Sequence, residues 1–143
     1  MLVVDDSLLL LVLAGVGGTQ NTEAVLAIEV FTTGSWYWRL ARAIRDPRST
    51  GALTRAFAAL EAPEQDAVRS ALGELPGNIG LIGARDLVPV MTSLHPPRRL
   101  NLLAVEALAT AILLDATIAV TTESDLLSEA CSALGVPIRH DLS

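Results

Sequence analysis

Short segments that are apolar throughout, each set between helical patterns, constrain the fold of this chain more than any other feature. The clearest is Thr117 to Thr121, between a helical pattern from Asn101 to Leu114 and another from Ser124 to Leu134, with a turn at Gly135 and a strand from Val136 to Arg139. Strands that do not alternate polar with apolar residues are buried on both faces, as in a parallel sheet with helices on each side. The expected class is therefore α/β, a three-layer sandwich with a mainly parallel central sheet flanked by helices. A chain of 143 residues, 51% hydrophobic and 18% charged, makes one domain spanning residues 1–143 and excludes a disordered protein.

The rest of the chain reads in the same alternation. Met1 to Val4 is a short buried strand ending at Asp5-Asp6-Ser7, where Ser7 can cap a helix through Leu13 that Gly15, Gly17 and Gly18 stop. Asn21 or Thr22 opens a second helix through about Ala27, with Glu23 in its first turn, and a β-rich stretch from Ile28 to Thr33 follows. From Ser35 the spacing is helical, with Trp36, Leu40, Ala43 and Ile44 on one face and Arg42 and Arg45 pointing away, until Asp46-Pro47 ends it. Ser49 or Thr50 starts a helix through Leu60, and Pro63 leads another through about Leu75. Asn78 to Ile82 is a strand, Ala84 to Leu94 a helix, and His95 to Arg99 a loop.

Two classes are disfavoured early. The unbroken apolar run Leu8 to Val16 is far short of the roughly 20 residues of a membrane helix. It follows Asp5 and Asp6 with no basic residue before it, so a soluble, cytoplasmic protein is expected. The single cysteine, Cys131, allows neither an internal disulfide nor a cysteine-based zinc cluster and suits a reducing compartment. His95 and His140 lack metal-site spacing, and the glycines at 15, 17 and 18 follow a helix rather than a strand, unlike a phosphate loop.

Ligands of an open parallel sheet bind beyond the carboxyl ends of its strands. Two such ends carry acids: Asp5 and Asp6 after the first strand, Glu123 and Asp125 after Thr117 to Thr121. Capping of the following helices is an equal reading of any one of these, Asp6 included. Glu106 is the only ionisable residue between Leu100 and Leu114, so it either reaches a cation, a hydrogen-bonding network or a wet cleft, or lies on the helix's exposed stripe. Converging, Asp5, Glu106 and Glu123 would make an all-oxygen cluster suited to Mg²⁺ or Mn²⁺, with Asp125 in support. Such a cation can activate water and offset charge on a phosphodiester.

The opening Leu2-Val3-Val4-Asp5-Asp6-Ser7 looks like the start of a response-regulator receiver domain, but that family also uses a late lysine, and all ten basic residues here are arginine. Val4-Asp5-Asp6-Ser7-Leu8-Leu9, the helix around Glu106-Ala107, the strand-end run Val120-Thr121-Thr122-Glu123-Ser124-Asp125-Leu126 and the closing Leu134-Gly135-Val136-Pro137-Ile138 together resemble the PIN-domain family of metal-dependent ribonucleases. That family is best known as toxins of toxin-antitoxin pairs. The resemblance implies a Mg²⁺- or Mn²⁺-dependent endoribonuclease in which Asp5, Glu106 and Glu123 are catalytic and, with Asp125, hold the metal. RNA and an antitoxin protein would be its partners, and a homodimer is compatible. Glu106 and Glu123 stand where the family commonly has aspartates, and Arg39 falls near the place of its remaining acid, on the helix after the second strand. An arginine there could pair with the cluster in the cation's place, leaving a catalytically degenerate PIN-like protein that acts through protein binding.

Four of the five aromatics lie between Phe31 and Trp38, and four of the ten arginines between Arg39 and Arg48. Such a segment can stack and clamp single-stranded nucleic acid, with Arg39 and Arg42 as substrate-binding residues, or Trp36 can pack into the core beside a solvated arginine face. A net charge of −6 opposes general phosphate binding, so any RNA contact must be local.

Overall fold

The computed structural model describes residues 1–15 and 29–140. The helix expected between Asn21 and Ala27, with Glu23, lies outside the described residues, as do Gly17 and Gly18. Five strands, β1 (Leu2–Val4), β2 (Val30–Thr32), β3 (Ile79–Leu81), β4 (Thr117–Ala119) and β5 (Ile138–Arg139), form one all-parallel sheet in the order β3-β2-β1-β4-β5. Seven helices are described: α1 (Asp6–Ala14), α2 (Gly34–Arg45), α3 (Ala52–Ala58), α4 (Ala62–Gly73), α5 (Ala84–Ser93), α6 (Leu102–Leu114) and α7 (Asp125–Leu134). The chain thus has the expected α/β class.

The reason for the apolar strands is visible in β1. Leu2 and Val4 face one cluster, built with α1, α3 and α4, while Val3 faces another, built with α6 and α7. Helix α2 contributes to both, Leu40 to the first and Trp36 to the second. A central strand with helices on both faces has no solvated side, so successive residues are all apolar.

Capping fixes where each helix starts. The cap of α1 is Asp5, not Ser7: its backbone is extended (φ −74°, ψ 177°) and its Oδ1 accepts from the Leu8 N–H at 2.9 Å. Gly15 ends α1 in the left-handed region at φ 67°, where a side chain would be strained. Thr33 caps α2 through the Trp36 N–H, and Asp46, just before Pro47, closes it. Helix α3 begins later than Ser49 or Thr50, because the Ser49 N–H is held in a turn by the Asp46 carbonyl at 3.0 Å. Asn101 caps α6 and Ser124 caps α7, each in the place read from the sequence.

The register places the site. Val4 lies beside Ala119, so the chain leaves β1 and β4 side by side at their carboxyl ends. From β1 the sheet grows through β2 to β3 on one side and through β4 to β5 on the other, making the β1–β4 boundary a topological switch point, where a crevice opens in folds of this kind. Thr32 Oγ1 donates to the Val4 carbonyl at 2.9 Å and draws the end of β2 towards the same point. Among the described residues no helix is long and apolar enough to cross a membrane.

Candidate functional site

A cleft of about 660 Å³ opens at this boundary. Its floor carries Asp5 and Asp6, one wall is Trp36, Arg39, Arg42 and Ala43 of α2, and the segment 49–54 leading into α3 forms another. Asn101, Leu103 and Ala104 at the start of α6, with Val120, Thr122 and Ser124 after β4, complete it.

Asp5 is buried and heavily engaged. Beyond the Leu8 bond, its Oδ2 accepts from the Thr121 N–H at 2.8 Å and from Thr121 Oγ1 at 3.2 Å. Three donors on one carboxylate leave little capacity for anything else. Thr121, part of the strand-end run that resembles the PIN pattern, thus locks the end of β4 to the end of β1.

Asp6 is the acid that faces the cleft without being satisfied. Its Oδ1 accepts from the Ser7 N–H at 2.9 Å, while Oδ2 lies 3.4 Å from Arg39 Nε but out of hydrogen-bond geometry and has no hydrogen-bond partner among the described residues. The Asp6 side chain is only 9% exposed, against 47% for Arg39. Burial pushes the Asp6 carboxyl above its ordinary value; the Arg39 guanidinium pulls the other way without cancelling it, and the neighbouring Asp5 charge adds to the rise.

The other acids expected at the site lie elsewhere. Glu106 is half-buried and tied to the start of α2: it accepts from the Ser35 hydroxyl and, at 3.4 Å, from the Ser35 N–H. Its negative charge there suits the N-terminal end of that helix. Glu123 and Asp125 are exposed, Asp125 in the first turn of α7, and none of Glu106, Glu123 and Asp125 lines the cleft. Among the described residues no three His, Cys, Asp or Glu side chains gather where they could hold a metal ion. Among the described residues the donor set as arranged does not fit a divalent cation held by two or three carboxylates.

Arg39 and Arg42 both line the cleft, as the reading of them as ligand-binding residues requires. Arg42 lies 5.3 Å over the ring of Trp38, which is 58% exposed at the surface, whereas Trp36 is core. The aromatic-arginine segment therefore splits: Trp36 packs under the sheet ends, and Trp38 and Arg42 stack outside. The sequence leaves Asp6 open between capping and a place at the site, and assigns it no site role. Its position next to the true cap, one residue into a helix whose next turns are all apolar, was the available signal.

No protein-family model, curated protein or solved structure matches this chain. The fold and the cleft define a doubly wound parallel α/β domain with an aspartate-arginine pair at its switch point.

Proposed function

We propose that this chain is a catalytically degenerate PIN-like domain that acts by binding a protein partner in its switch-point cleft. One observation carries the reading: Arg39, near the place where the PIN resemblance calls for an acid, stands against Asp6 and puts a guanidinium where a metal site would need a carboxylate. The Arg39 guanidinium beside Asp6 offsets part of its charge without supplying the open coordination positions that metal-dependent hydrolysis uses.

The test is a divalent-cation titration of the ¹⁵N-labelled protein, paired with an RNA cleavage assay. The expected result is no saturable shift or Mn²⁺ broadening around Asp5, Asp6, Glu106 and Glu123 at millimolar metal, and no cleavage above that of an Asp5→Asn control. Localised broadening at these acids together with Asp5-dependent cleavage would overturn it. That outcome would support the second reading, a Mg²⁺- or Mn²⁺-dependent ribonuclease of the toxin kind in which Asp5, Glu106 and Glu123 converge on the metal and Asp125 supports them. The place of Asp5 at the carboxyl end of β1, on the floor of the cleft, is what favours that reading.

A further inference from the structure

Trp36 is 5% exposed, lines the cleft and is otherwise packed in the second core. Its indole N–H makes no hydrogen bond among the described residues. Asp6 Oδ2 is the one buried side-chain polar atom among them that is sealed from solvent without a partner, so the indole nitrogen keeps accessible surface, and the cleft is where Trp36 has it. A tryptophan buried this far ordinarily finds an acceptor for its N–H. Here the acceptor has to come from the cleft.

The groups around that N–H are donors as well. Arg39, one turn further along α2, lines the same wall with its side chain 47% exposed, and Arg42 follows one turn later with no ion pair among the described residues. The Ser7 hydroxyl, also on the cleft, has no hydrogen-bond partner among the described residues. Asn101 spends its side-chain oxygen on the Ala104 N–H, which leaves only N–H groups on that side chain to offer. The carboxylates beneath cannot answer these donors, because Asp5 already accepts three bonds and Asp6 Oδ2 is sealed. A cleft that offers donors and withholds acceptors suits an acceptor-only group, an oxyanion.

The charge of that oxyanion is bounded. Asp5 and Asp6 on the floor balance Arg39 and Arg42 on the wall, and the start of α6, with no acid in its first turn, adds a fractional positive charge. The lining therefore favours one negative charge and opposes two, which selects a carboxylate over a phosphate dianion. Leu53, Leu103, Val120 and Leu127 supply apolar wall for the rest of the molecule, and about 660 Å³ is the size of a small-ligand cavity. A ligand held there feels this lining, whereas charges of the outer surface, where most of the net −6 arises, are screened beyond about 8 Å at physiological salt.

We infer that the cleft binds a small aliphatic monocarboxylate, its head group taken by the Trp36 indole N–H, the Arg39 guanidinium and the Ser7 hydroxyl, and its chain laid against the leucines. The inference goes beyond the partner reading and does not depend on it; a partner that enters the same cleft has to displace the acid.

The experiment titrates the ¹⁵N-labelled full chain with octanoate and, for comparison, with octanamide, octylamine and octyl phosphate. The two tryptophans give two indole N–H signals, which Trp38→Phe, a change at the exposed surface, tells apart. Octanoate should move the Trp36 signal downfield and saturably while that of Trp38 stays in place, and it should bind at least about tenfold tighter than each of the other three ligands. Trp36→Phe, which keeps an aromatic ring in the core and loses the N–H, should weaken octanoate binding about fivefold or more by calorimetry. Arg39→Gln should remove most of the preference over octanamide. The absence of a shift at Trp36, equal binding of octanamide, or tighter binding of octylamine or octyl phosphate would each overturn the inference. So would a folded Trp36→Phe variant that binds octanoate as tightly as the parent, or an Arg39→Gln variant that keeps the full preference.

Discussion

At the residue scale the informative group is the Asp6 carboxylate, held inside the protein with one oxygen hydrogen-bonded to the Ser7 N–H and the other beside Arg39 with no hydrogen bond among the described residues. Its pKa is raised, chiefly by burial, above the ordinary 3.8. Between 3.8 and the raised value the native state therefore holds more protons than the unfolded one, and stability falls as pH rises through that window. Replacing the carboxylate by an uncharged amide removes this dependence. Asp6→Asn is expected to melt higher than the parent at pH 7, with the advantage shrinking as pH drops to 4 and below, in thermal melts followed by circular dichroism. A lower melting temperature at pH 7 would mean that Arg39 is a complete partner and that the site is structural. The division of labour between Asp5 and Asp6 was beyond sequence reading, because two adjacent acids before a helix are interchangeable until the first residue of that helix is fixed. The helix starts one residue before Ser7, and that alone makes Asp5 the cap and turns Asp6 towards α2.

At the scale of elements, helices and strands were legible wherever spacing and punctuation agree. Asn101 and Ser124 start α6 and α7 where their capping side chains predict, and Gly135 ends α7 through a left-handed backbone. Contacts between distant elements were not. Glu106 was recognisable as a charge that an apolar helix must satisfy or expose, but its partner Ser35 lies 71 residues away and only the packing of α6 on α2 reveals it. Glu106→Ala should accordingly cost roughly 1–2 kcal/mol in urea denaturation, the range for losing a charged acceptor at a helix start. Full retention of stability would show the Ser35 contact to be idle. A tighter constraint sits at the sheet edge, where β2 and β3 pair Phe31 with Gly80. A Cβ on Gly80 would meet the Phe31 ring at 2.3 Å, closer than side chains tolerate. Gly80→Ala should destabilise by about 1–3 kcal/mol. Adding Phe31→Leu should recover part of that, and strictly additive losses would show that the two residues do not oppose each other. Nothing in the sequence marks Gly80 as special, since the ring that demands it belongs to another strand.

At the scale of the whole molecule, the sheet divides the interior into two separate cores. Cys131 belongs to the one formed by α6, α7, β4 and the inner side chain of β1, Val3. Burial pushes its thiol up to about 11, so almost no thiolate exists at neutral pH and the group is shielded from reagents as well. Apolar strand composition foretold a sheet buried on both faces; strand order was not foretold, because short all-apolar strands carry no mark of which neighbour they pair with. The thiol converts this architecture into a measurable quantity. Labelling with a disulfide reagent at pH 8 requires the α6–α7 layer to part from the sheet, so the native protein should react at least about a hundredfold more slowly than the urea-unfolded chain. If the two cores open as one cooperative unit, the free energy of opening obtained from the labelling rate equals that of global unfolding. If the α6–α7 layer opens on its own, labelling gives the smaller value. Those helices carry one side of the cleft while α2, with Arg39 and Arg42, packs into both cores. A smaller value would therefore mean that the cleft can widen without unfolding. Labelling as fast in the native as in the unfolded protein would contradict the burial of Cys131 and with it the two-core arrangement.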